Sequence, residues 1–150
     1  MLEVTKIWGR LYLGSMFDAQ RLAKANPDGV THVVSLSENA PISTHSEIKY
    51  VHIPVEDEIA IPPARFNAIM NAISNNIRRG RLLVHCGSGI SRGPIMAAAY
   101  LHCVGYKEFD AALQDIALLR GFIRPPSYSP ASGSICDDGF CEPRQKGGVK

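Results

Sequence analysis

Leu82-Leu83-Val84-His85-Cys86-Gly87-Ser88-Gly89-Ile90-Ser91-Arg92-Gly93-Pro94-Ile95-Met96 reads as a short apolar strand, a tight glycine-containing loop and the start of a helix. A helix N-terminus leaves backbone N–H groups without intrahelical partners, and the helix dipole adds partial positive charge there. Such a loop is an anion site suited to phosphate. The same field favours a thiolate, the nucleophilic form of cysteine, at Cys86. Arg92, at the far end of the loop, supplies a planar fork that can hold two phosphoryl oxygens at once. The loop therefore combines a candidate nucleophile, Cys86, with a candidate phosphate cradle formed by Gly87, Ser88, Gly89, Ile90, Ser91 and Arg92. A buried structural cysteine and a surface arginine are the bland alternatives. The second is disfavoured because a cation at a helix start opposes the dipole unless an anion is present.

The Cys-x5-Arg spacing, preceded by His85, resembles the signature loop of the cysteine-dependent protein tyrosine phosphatases, and its surroundings are most similar to the small, atypical dual-specificity branch. Three upstream blocks share the order and spacing of that family: Arg10-Leu11-Tyr12-Leu13-Gly14-Ser15, Thr31-His32-Val33-Val34-Ser35-Leu36 and Tyr50-Val51-His52-Ile53-Pro54-Val55-Glu56-Asp57. The resemblance covers about residues 4 to 125. It implies that Cys86 attacks phosphorus, that Arg92 holds the equatorial oxygens, and that Asp57 is the general acid and later the general base. Glu56 and Glu58 are adjacent competitors for that last role. His85 is expected to point away from the substrate and support the loop through backbone hydrogen bonds. Ser91 either orients the loop or simply fits. Gly87 and Gly89 are read as positions whose backbone geometry other residues resist.

The chain departs from the family pattern in three places. Gly93 stands where the family usually has Ser or Thr, whose hydroxyl helps stabilise the departing thiolate. The loop interior carries no basic residue, which favours phosphoprotein-like monoesters over phosphoinositides. After Arg120, Arg124-Pro125-Pro126 replaces the familiar Arg–Pro–Asn stretch, so the last packing element is expected to be altered or missing.

Outward from the loop, Val4–Ile7, Arg10–Leu13, Val30–Leu36 and Ile48–Val55 read as strands, and Ser37–Glu47 as a polar loop. Ser15-Met16-Phe17-Asp18 has a capping-box form and is expected to open a helix reaching about Asn26. Pro62-Pro63 suits the first turn of a helix whose buried stripe is Phe66, Ile69, Met70, Ile73 and Ile77, with Gly80 as its stop. Ile95–Val104 is apolar nearly all round and should be central. Lys107–Arg120 is amphipathic, with Phe109, Leu113, Ile116 and Ala117 facing inward. Gly105 and Gly121 end these two helices. Trp8 reads as a core or edge anchor. The pattern is that of an α/β domain: a central, mixed, mostly parallel sheet flanked by helices, with a site at a strand's carboxyl end. The catalytic domain is expected over 1–124, with a Pro/Ser/Gly-rich tail over 125–150.

The chain has 150 residues, 45% hydrophobic and 20% charged, with a net charge of +2. That balance fits one ordinary globule and lacks a nucleic-acid-binding signature. No apolar run approaches a membrane span and no basic-then-apolar leader opens the chain, so no membrane partner is expected. Four cysteines at scattered positions suggest a reducing, cytoplasmic or nuclear setting. Cys103 reads as core, with a resolving role towards Cys86 as the lesser reading; the Cys136/Cys141 pair reads as incidental, with a redox pair or half a metal site as the lesser readings. The histidines show no metal spacing, so neither metal nor cofactor is expected.

The reading is a monomeric, metal-independent phosphatase acting on phosphorylated proteins, at phosphotyrosine and at phosphoserine or phosphothreonine. The alternatives are a phosphate-binding module with weak turnover, a phosphatase acting on an RNA 5′-phosphate or lipid headgroup, and a sulfur-transferase.

Overall fold

The computed structural model describes residues 4–56, 61–87, 92–121 and 123. The elements in chain order are β1 (Thr5–Trp8), β2 (Leu11–Gly14), α1 (Met16–Arg21), β3 (His32–Ser35), β4 (Lys49–His52), α2 (Pro63–Ile77), β5 (Leu82–His85), α3 (Arg92–Cys103) and α4 (Phe109–Arg120). The strands form one five-stranded sheet in the order β1-β2-β5-β3-β4. Only β1 and β2 pair antiparallel; β2–β5, β5–β3 and β3–β4 are parallel. The mixed, mostly parallel α/β architecture expected from the sequence is the one found.

Strand side chains alternate between faces, and the core divides accordingly. Leu11, Leu13, Val34, Leu36, Leu82, Val84 and Cys86 lie in one buried cluster with the apolar sides of α2, α3 and α4. Tyr12, Val33 and Leu83 turn to the other face and join Ala19, Leu22, Val30 and Ile48. The larger cluster includes the expected α2 stripe: Phe66, Ile69, Met70, Ile73 and Ile77 are all buried. Truncating a fully buried member such as Ile73 to alanine would cost about 2–5 kcal/mol. Residues 93–101 of α3 are buried without interruption, as a central helix requires. Trp8 anchors the sheet edge, with its ring 6.3 Å from Tyr100 and 5.4 Å from Tyr106.

Several boundaries differ from expectation, each for a local reason. Helix α1 starts on a complete capping box between Ser15 and Asp18 but ends at Arg21 rather than near Asn26. Leu22 and Ala23 turn back with i→i−3 bonds, and Asn26 uses its side chain to bind both the N–H and the C=O of Val30, each at 2.9 Å. A side chain that satisfies backbone in this way competes with helix. Helix α2 ends at Ile77, with Arg78 as its cap, so Gly80 is not a left-handed stop. A Cβ at Gly80 would lie 1.9 Å from Thr31 Oγ1, and it is this close approach that requires glycine. Gly105 and Gly121, with φ of 76° and 87°, do end α3 and α4 as expected. The inward side of α4 consists of Phe109, Ala112, Ile116 and Arg120, so the buried row includes a charge and Ala117 is only half-buried. The tail over 125–150, with Cys136 and Cys141, lies outside the described residues.

Candidate active site

β5 occupies the middle of the sheet and ends at His85, so the residues that follow emerge between the ends of β2 and β3. Both neighbours hold this point. The Met16 N–H donates to the Gly87 carbonyl at 3.0 Å, and the Leu36 N–H donates to the His85 carbonyl at 2.8 Å. Cys86 is fully buried and is in no disulfide.

His85 is also fully buried, on the face opposite Cys86. Parallel register places it beside Ser35. Its Nδ1 lies 3.1 Å from the Cys86 carbonyl and its Nε2 2.7 Å from Ser35 Oγ. A carbonyl only accepts, so Nδ1 carries the proton, and the Ser35 hydroxyl donates to Nε2 of the neutral ring. Burial pushes the His85 pKa below its usual value, only partly opposed by the bond to the Cys86 carbonyl. A neutral imidazole is thus part of the backbone support beneath Cys86.

Arg92 begins α3. Its Nη1 donates to the Val55 carbonyl at 3.0 Å, across the loop from β4. Its Nη2 lies so near Gly87 that a Cβ there would approach to 3.1 Å. Gly87 does not have a positive φ, so the expectation of a special backbone conformation is corrected: what a side chain there would meet is the Arg92 guanidinium, which would have to give by a few tenths of an ångström. At Gly93 a Cβ would lie 3.3 Å from Leu13 Cδ2 and 3.7 Å from Cys86 Sγ. That position faces the sulfur directly. Asp57 and Glu58, and the loop residues Ser88, Gly89, Ile90 and Ser91, lie outside the described residues.

A cleft of about 320 Å³ opens beside Arg92 and Gly87, lined further by Met16, Ser37, Glu38 and Asn39. Sequence reasoning treated Ser37–Glu47 only as a polar loop. Its start follows a parallel strand's carboxyl end, where such folds bind ligands, and this was the available signal.

Residues 11–128 match the family model described as dual specificity phosphatase, catalytic domain. The chain belongs to this family. Dual specificity phosphatases are phosphoric monoester hydrolases, and the resemblance noted in the sequence is therefore one of kinship. Human dual specificity protein phosphatase 1 is 34% identical over 118 residues, covering 77% of this chain and 32% of the relative. The chain thus spans about a third of that relative's length. Among solved structures, DUSP15 is similar with a TM-score of 0.74 and 26% identity, over 97% of this chain and 92% of that one. Human DUSP28(Y102H) is similar with a TM-score of 0.72 and 25% identity, over 93% and 94% respectively.

Two further residues lie in the surroundings of the candidate site. Arg120, 2% exposed, donates from Nη1 to the Leu13 carbonyl at 3.1 Å and to Thr5 Oγ1 at 3.0 Å. It ties α4 to β1 and β2 close to Gly93's neighbour Leu13. Burial pushes its pKa down, and the negative charges of Asp18 and of a Cys86 thiolate oppose that. The sequence reading took Arg120 as a helix end and gave it no role. Cys103 is buried on α3 and is disulfide-bonded while Cys86 is not, so the two are not joined to each other here. Among the described residues no group of acidic, histidine or cysteine side chains could hold a metal ion, and no helix is long and apolar enough to cross a membrane.

Proposed function

We propose that this chain is a protein phosphatase that hydrolyses phosphotyrosine, and phosphoserine or phosphothreonine, through a cysteinyl-phosphate intermediate at Cys86. The observation that carries the proposal is the union of Cys86 and Arg92 at the end of a central parallel strand, with the guanidinium folded back against Gly87. The Cys86 thiolate attacks phosphorus, the S–P bond forms, and the ester P–O bond breaks. Asp57 protonates the leaving oxygen. Arg92 and the loop amides stabilise charge on the equatorial oxygens. Water then attacks phosphorus with Asp57 taking its proton, the S–P bond breaks, and inorganic phosphate leaves. His85 holds the loop and takes no proton from substrate.

The test is pre-steady-state hydrolysis of an aryl phosphate near pH 6 without added metal, with wild type and Cys86→Ser, followed by phosphotyrosine and phosphoserine peptides. Turnover in wild type, its loss in Cys86→Ser, and a drop of about 10²–10⁴-fold in Asp57→Asn support the assignment. Retained phosphopeptide binding with no hydrolysis would replace it by a phosphate-binding module. Gly93 is the feature that favours this second reading.

A further inference from the structure

Among the described residues that line the cleft, two carry charge: Arg92 and Glu38. Glu38 sits on a turn fixed from both sides. The Ser37 hydroxyl donates to the Asn39 carbonyl at 2.7 Å, and His52 Nε2 donates to the Ser37 carbonyl at 2.8 Å. One residue earlier, the Leu36 carbonyl accepts the Val55 N–H at 2.9 Å, and Val55 is the residue whose own carbonyl holds Arg92. The backbone carrying Glu38 is therefore linked by named bonds to the guanidinium that would hold phosphate. Glu56, exposed and next to Val55, adds a second carboxylate to the joined loops. Arg65, exposed on the first turn of α2, donates to the Pro54 carbonyl.

A cation at the phosphate position with a carboxylate on the adjoining wall is a charge pattern with a matching ligand: one phosphate monoester with a positive side chain beside it. A ligand bearing further negative charge meets repulsion from the same wall. We infer that Glu38 is a specificity-determining residue, favouring phosphorylated residues flanked by lysine or arginine over acidic sequences and over polyanionic esters such as lipid headgroups or nucleotide ends. This rests on the phosphatase reading above. It adds what the Cys86–Arg92 pair cannot supply, since that pair takes any phosphate monoester alike.

The experiment compares kcat/KM for two phosphotyrosine peptides that differ only in flanking lysines or flanking glutamates, in wild type, Glu38→Gln and Glu38→Lys, with an aryl phosphate alongside. In wild type the lysine peptide should be preferred by about two- to thirtyfold, the effect of exchanging an exposed attraction for an exposed repulsion. The preference should shrink in 0.5 M salt, which is roughly past the screening range of such pairs. It should fall towards unity in Glu38→Gln and reverse in Glu38→Lys. The ratio within each variant is insensitive to any general change in activity. Equal rates for both peptides in a wild type that hydrolyses the aryl phosphate overturn this inference alone, as does a preference that persists in Glu38→Lys. No hydrolysis of any substrate overturns the phosphatase reading and this inference with it.

Discussion

Gly93→Ser places a hydroxyl where the family's usual residue would have one. The Cβ of residue 93 would lie 3.7 Å from Cys86 Sγ, 3.9 Å from the Cys86 nitrogen and 3.3 Å from Leu13 Cδ2. The last contact is tight: Leu13 is fully buried in the core, and its Cδ2 must yield by a few tenths of an ångström. From that Cβ, a hydroxyl one bond further out reaches hydrogen-bond distance of the sulfur. A hydrogen bond to a charged group contributes about 1.5–3 kcal/mol, and each ~1.36 kcal/mol is tenfold in rate. Dephosphorylation of the intermediate should thus accelerate by roughly ten- to hundredfold. Stopped-flow hydrolysis of an aryl phosphate reads this as two changes: the wild-type burst amplitude falls, and the steady-state rate rises until formation of the intermediate becomes limiting. Gly93→Ala is the control. It adds the same Cβ without the hydroxyl, with a gain in helix propensity of up to about 1 kcal/mol that is larger than serine's. If serine and alanine variants match each other and wild type in burst and turnover, a slow second step due to Gly93 is refuted.

Three further outcomes follow from the packing. His85 is held neutral, so its folded pKa lies below the ordinary value of about 6.5 and the unfolded chain binds the extra proton. The sign is then fixed: the contribution is complete above the unfolded pKa and is lost as pH falls through 6.5 towards the folded value. The urea midpoint should decline from pH 7 to pH 5. His85→Gln should flatten part of that slope, while His32, shifted down by burial as well, retains the remainder. A slope unchanged in the variant would remove His85 as its source. Gly80→Ala drives a methyl into Thr31 Oγ1 and should cost about 1–3 kcal/mol; thermal melts should show a smaller loss in a Thr31→Ala background, and equal losses would place the cost elsewhere. Arg120→Met removes the donors to Leu13 and Thr5 and should lower stability by about 1.5–3 kcal/mol in chemical denaturation; a more stable variant would mean that the desolvation of this buried cation outweighs its bonds.

What was legible in the sequence was whatever repeats or clusters locally. The α2 stripe announces itself through helical spacing, and the strand–loop–helix around Cys86 is contiguous, so both could be read without tertiary information. The alternation of β5 also placed His85 opposite Cys86. What escaped depended on residues far apart in the chain. Gly80 looks like a helix stop until Thr31 is brought against it. Arg120 looks like a helix end until α4 docks and turns it towards Leu13, 107 positions away. Glu38 is one polar loop residue among several until the bond between Leu36 and Val55 draws its loop to Arg92. The short α1 belongs here too, since Asn26 gives no sign that it will bind Val30 rather than continue the helix.

The position of β5 bears on how the chain is made. Among the described residues it is the last strand in sequence, and it is the middle strand of the sheet. As the polypeptide leaves the ribosome, β1–β2 and β3–β4 can form as two ribbons, but each keeps an unpaired apolar edge until residues 82–85 arrive between them. Such edges invite pairing with other chains, and non-local closure of this kind is slow and exposed to aggregation. The strand that closes the sheet is also the one that delivers Cys86. Completion of the fold and assembly of the phosphate site are therefore a single event, and a nascent or truncated chain lacking β5 has neither.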